Sequence, residues 1–171
     1  AYGARGFAII LLAGSYQMNG DIVRAREVLY SALGDQPLLS SSYHCRLLQG
    51  LCFIHWMESD LASLKHAAIR CLEVATEFKQ LDSYVFAKYF LGICCYQLND
   101  LDEAEQGLGT VVEDPFVARG MIYAQGAFAL ALCYTAQNRN EDALKVVEQV
   151  LDHSFKTNNQ AILRSAKGFE A

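Results

Sequence analysis

Apolar residues recur at three- and four-residue intervals along most of the chain, in segments separated by short polar turns. Intervals of this kind put the apolar side chains on one stripe of an α-helix. The pattern predicts helices near 2–18, 22–34, 40–57, 61–79, 82–98, 101–113, 117–137, 140–153 and 157–170. No β-branched stretch alternates long enough to read as a strand, so the expected class is all-α.

The helices come in a repeating order. The turn Met18-Asn19-Gly20-Asp21 has counterparts at Glu58-Ser59-Asp60, Leu98-Asn99-Asp100 and Gln137-Asn138-Arg139-Asn140. Gly, Asn and Ser suit the residue that ends a helix, and Asp suits the residue that caps the next. Four residues before the turn residue stand Tyr16, His55, Cys95 and Tyr134, and before those Leu12, Leu51, Leu91 and Leu130. Five residues after it stand Ala25, Leu64, Ala104 and Ala143, followed by Leu29, Ala68, Leu108 and Val147. These correspondences define one repeat domain over 1–171, with units near 2–37, 40–80, 82–115 and 117–155 and a partial unit at 157–171. A single hairpin cannot bury its own stripe, so the units are expected to stack. Pro37 and Pro115 each follow a second helix, where proline ends a helix without harm.

Composition narrows the function. Apolar residues make up 53% of the 171 residues and charged residues 19%, enough for a full core. The 14 basic and 19 acidic residues give a net charge of −5, with no basic cluster. That balance excludes direct nucleic-acid binding by this segment and an anionic-membrane surface, both of which need concentrated positive charge. No apolar run approaches the roughly 20 residues of a membrane span. The six cysteines, at 45, 52, 71, 94, 95 and 133, contain no C-x-x-C pair and read as small buried hydrophobes of a reducing cytoplasm. The chain starts without Met and both ends run in periodic segments, as a piece of a longer polypeptide would.

The combination Leu12-Ala13, Tyr16, Gly20, Ala25, Leu29, Ala32 and Pro37 resembles the tetratricopeptide repeat (TPR). Gly92, Asn99, Ala104 and Leu108 match the pattern in the third unit, and Ala131, Tyr134 and Ala143 in the fourth. The second unit departs from it, with His55, Leu64 and Ala68. The resemblance implies a right-handed superhelical solenoid of about four helical hairpins plus a terminal helix. The period of 39 or 40 exceeds the usual repeat length of about 34. Such long repeats resemble the sensor region of the MalT-like members of the LuxR group, bacterial signal-transduction ATPases that regulate transcription.

Catalytic motifs are missing. There is no phosphate loop, dinucleotide fingerprint, zinc-protease motif or nucleophile elbow, so neither an enzyme nor a cofactor is expected. Cys52, His55, His66 and Cys71 lie on consecutive helices at spacings that a zinc site permits, but three of them fall on recurring interior positions. The acidic pairs Asp102-Glu103 and Glu141-Asp142 open helices, where they complement the helix dipole.

In a solenoid of this resemblance, first helices line a concave groove. The expected groove residues are Phe7, Ile10 and Gln17 in the first unit and Arg46, Gln49, Phe53 and Trp56 in the second. Phe86, Tyr89 and Tyr96 follow in the third and Gln125 and Phe128 in the fourth. Rigid aromatics interspersed with Arg and Gln suit a peptide, a protein domain or a small effector. The same aromatics equally suit packing inside the array or against a neighbouring domain. The expectation is a non-catalytic sensor or scaffold of a cytoplasmic transcriptional regulator. The alternatives are a general protein-interaction module and a sugar sensor that stacks its ligand on Trp56 and Tyr89. The high apolar content also suggests self-association.

Overall fold

A computed structural model describes residues 2–34, 41–118 and 120–170, with side chains at 8–34, 42–118, 120–164, 166 and 168. Helices account for the secondary structure of the described residues: α1 (Tyr2–Met18), α2 (Ile22–Gly34), α3 (Ser41–Met57), α4 (Leu61–Glu77), α5 (Leu81–Gln97), α6 (Leu101–Val112), α7 (Met121–Ala136), α8 (Asn140–Lys156) and α9 (Gln160–Glu170). No helix among the described residues is long and apolar enough to cross a membrane.

The repeated turn has one local cause. Gly20, Ser59, Asn99 and Asn138 all have positive φ, at 79°, 58°, 61° and 61°. Each ends its helix in a Schellman motif, in which two backbone N–H groups turn back to satisfy carbonyls of the last turn. The bond that spans more residues runs from the Asp21 N–H to the Tyr16 carbonyl, from Asp60 to His55, from Asp100 to Cys95 and from Arg139 to Tyr134, at 2.8–2.9 Å. The four residues that recur before the turn are therefore those whose carbonyls close it. The same motif ends α4 and α8, with Lys79 (φ 55°) and Asn158 (φ 50°) in the left-handed position.

Capping is less uniform than the sequence suggests. The Asp21 carboxylate accepts from the Arg24 N–H and that of Asp60 from the Ser63 N–H, whereas Asp100 makes no such bond. Helix α7 starts at Met121, four residues later than expected. Asp114 Oδ1 accepts from the Phe116 and Val117 N–H groups and winds 114–117 into a turn, and Gly120 takes a φ of 24°. Pro115 lies in that turn; Pro37 lies outside the described residues.

The chain divides into two compact units, Ala1–Phe90 and Leu91–Ala171. The boundary falls inside α5. The first unit holds the hairpins α1/α2 and α3/α4 and residues 81–90 of α5. Its core is built from Ala25 and Leu29 of α2, Leu47, Leu48, Leu51 and Ile54 of α3, Leu64, Ala68 and Cys71 of α4, and Phe90. A Cβ on Gly50 would meet Leu29 Cδ1 at 3.0 Å, which marks how closely α3 approaches α2. Leu12 departs from the other interior leucines: it is 45% exposed, whereas Leu51 is at 2%.

The second unit holds residues 91–97 of α5 and helices α6 to α9. Ala104, Leu108 and Val111 of α6 are buried, as are Leu130, Ala131 and Cys133 of α7, Val150 of α8 and Ile162 of α9. A Cβ on Gly92 would come within 2.6 Å of Leu108 Cγ, so α5 and α6 cross at a point that only glycine allows. The Cys133 thiol donates to the Leu101 carbonyl at 3.2 Å.

Candidate partner-binding face

Within the first unit, first helices α1 and α3 and residues 81–90 of α5 supply the expected groove residues. Arg46, Gln49, Phe53 and Trp56 recur at helical spacing on α3 and share one stripe. From Arg46 to Trp56 that stripe is ~15 Å long, comparable to four or five residues of extended peptide. Each position is tied to a neighbour. The Gln49 amide donates to Ser83 Oγ at 3.0 Å, and Arg46 lies 4.0 Å from the Asp82 carboxylate. At the other end the Gln17 amide donates to Met57 Sδ at 3.0 Å, which joins α1 to α3.

The aromatics form a cluster around one ring. Phe90 is fully buried, and Phe53, Trp56, Phe86 and Tyr89 surround it at centroid distances of 4.9–6.3 Å, edge-on or tilted. Phe53 also meets Phe86 edge-on at 5.4 Å. Such offset arrangements add attraction beyond burial and hold the rings rigid. Sequence reasoning missed Phe90. Its signal was the Phe86/Phe90 pair one helical turn apart, obscured because the interior position of that repeat had been assigned to Leu91.

Burial sorts the expected residues. Trp56 is 43% exposed and Met57 51%, and Arg46 is also exposed. Ile10, Gln17, Gln49, Phe53 and Phe86 are half-buried. Tyr89 corrects the sequence expectation. At 3% exposure it offers no open face, and burial pushes its phenol above the ordinary range. Its ring packs edge-on against Phe90 at a centroid distance of 4.9 Å. The side chain of Phe7 lies outside the described residues. Tyr96, Gln125 and Phe128 are half-buried members of the second unit.

The described side chains do not assemble metal-binding or nucleophilic chemistry on this face. Among the described residues no group of three or more His, Cys, Asp or Glu side chains is arranged to hold a metal. Cys52, His55 and Cys71 lie in the core, while His66 is exposed. The Cys71 thiol packs against Cys45, and that contact, reinforced by burial, raises it above the ordinary thiol range. His55 Nε2 lies 3.1 Å from Tyr30 Oη, joining α3 to α2. These are features of an interior.

No protein-family model matches the chain, and no curated protein matches it. Solved structures do. A kinesin-light-chain-like protein of Podosopora anserina with nearly identical TPR-like repeats superposes with a TM-score of 0.70 at 18% identity, over 97% of this chain and 87% of that one. A single-site variant of that protein gives 0.72 at 18% identity, over 99% and 88%. At this identity the likeness shows the fold, which is that of a TPR-like helical-repeat protein.

Proposed function

We propose that the chain is a non-catalytic protein-interaction module, and that the stripe from Arg46 to Trp56 with Met57 is where its first unit receives a partner peptide. The observation that carries this is the rigid aromatic cluster itself: an exposed Trp and Met stand on a fixed apolar base, with an exposed Arg along the same helix. Preorganised aromatic and Arg side chains are the usual anchors of protein interfaces, because little rotamer freedom is lost when they bind. A TPR-like array suits the role, since stacked hairpins present extended surfaces.

The finer reading is of a sensor or scaffold in the cytoplasm, part of a bacterial LuxR-type transcriptional regulator, with Tyr96, Gln125 and Phe128 as candidate partner-binding residues of the second unit. That reading rests on the repeat pattern, and the structural neighbours supply the fold without it. The sugar alternative loses support because Tyr89 is buried, leaving Trp56 as the sole exposed ring of the proposed pair. A peptide-library selection against the chain tests the proposal. Peptides enriched on the native protein should lose most of their binding to an Arg46→Glu, Trp56→Ala double variant. Equal enrichment on both proteins would overturn it.

A further inference from the structure

We propose, on the peptide reading of that stripe, that Met57 is a reversible oxidation site through which a peroxide switches the stripe off. Met57 follows Trp56 at the end of α3 and is 51% exposed, so a small oxidant reaches its sulfur. The thioether sulfur attacks one peroxide oxygen. An S–O bond forms as the O–O bond breaks, and two electrons pass from sulfur to the peroxide. The hydroxide that leaves takes the proton of the new S–OH group and becomes water. The product is a sulfoxide, a polar and chiral group in place of an apolar one, and reductases reverse it.

A hydrogen-bond donor is already aimed at this sulfur. The Gln17 side-chain amide, half-buried on α1, donates to Met57 Sδ at 3.0 Å. A thioether sulfur is a weak acceptor, and a sulfoxide oxygen is a much better one, so the amide gains from the reaction. Oxidation of a core methionine disrupts packing. At Met57 the new oxygen meets Gln17 and water instead, and the link between α1 and α3 persists. The stripe fares differently. Trp56 and Met57 together form its exposed apolar end, and a polar sulfoxide there must give up its water when a partner covers it. The anchor is lost while the fold that carries it remains. Met18 and Met121, at 90% and 55% exposure, are open to the same oxidant, but Met18 is on α1 and Met121 in the second unit, off the stripe.

The test uses the whole chain carrying Met18→Leu and Met121→Leu, which leaves Met57 as its one methionine, with peptides selected on the native protein. Hydrogen peroxide should add one oxygen at Met57, located by mass spectrometry. The oxidised chain should melt at an unchanged temperature, show a shifted Gln17 side-chain amide signal and bind the peptides roughly tenfold more weakly. The two methionine sulfoxide reductases, one for each epimer, should restore the affinity, which they would not do for oxidised thiols. Whatever its starting affinity, a chain that also carries Met57→Leu should show no further change on peroxide treatment. Equal affinity of the reduced and oxidised chains, a loss that the reductases leave in place, or a lowered melting temperature would overturn the proposal and leave the peptide site standing. Failure of the peptide site itself reads differently, as binding to the reduced chain that Trp56→Ala does not weaken.

Discussion

Phe90 contributes to the first unit through what surrounds it. Four aromatic rings pack on it, so truncation removes both its own buried surface and the base on which Trp56 and Phe53 rest. Phe90→Ala should cost about 3–5 kcal/mol in unfolding free energy, the usual range for a buried Phe, measurable by urea titration. His44 acts through charge. Burial, with the Arg70 charge adding to it, lowers its imidazole below the ordinary value of 6.5. A neutral folded imidazole gives stability that is in place above pH 6.5 and is lost as the pH falls through the lowered value, because the unfolded chain takes up the proton first. His44→Gln should therefore flatten the decline of stability below pH 6.5 while leaving the curve above it unchanged. Urea midpoints across pH 5 to 8 check this; an unaltered slope would contradict it. Residue-level burial was also where the sequence told least. Spacing alone does not separate Tyr89 from Trp56, because both follow the first-helix stripe. Which ring is covered depends on packing between helices: Tyr89 is 3% exposed and Trp56 43%, although both touch Phe90.

At the scale of the helices, the turn chemistry made the boundaries legible. Gly, Ser and Asn at the left-handed position, followed by Asp, mark helix ends at 18, 57 and 98, and the helices stop at Met18, Met57 and Gln97. Lys79 lacks that signature, and α4 was expected to run to 79 but stops at Glu77. A lysine held at φ 55° is strained, since Cβ crowds the carbonyl in that region. Lys79→Gly should accordingly stabilise the chain by about 0.5–1 kcal/mol once the larger unfolded-state entropy of glycine is deducted. Asn99→Gly should gain less, because asparagine tolerates this conformation. Paired thermal melts separate the two. The α5/α6 crossing makes the opposite demand. A methyl group at residue 92 would meet Leu108 side-chain carbons at 2.6 and 2.9 Å and its backbone nitrogen at 3.2 Å, so Gly92→Ala should destabilise by about 1–3 kcal/mol through overpacking. The start of α7 was misread for a different reason. Asp114 satisfies two N–H groups by a local turn that competes with a helix, and apolar periodicity is blind to that competition.

For the whole molecule, the repeat was legible because stacking hairpins forces the same small and large residues onto equivalent positions. Ala25, Leu64, Ala104 and Ala143, assigned to one repeat position from sequence, are all buried. The division into Ala1–Phe90 and Leu91–Ala171 was not legible, since it falls within a helix that carries no break in its pattern. The partner is illegible for a physical reason: a repeat specifies its own packing, while its exposed stripe is free to vary. Trp56 stands on that stripe and is the one tryptophan of the chain. Its emission spectrum, followed during titration with a peptide selected on the native protein, tests the claim most directly. The expected result is a saturable blue shift as the indole leaves water, abolished by Arg46→Glu. Peptide binding that is evident by calorimetry while the Trp56 emission stays unchanged would contradict it.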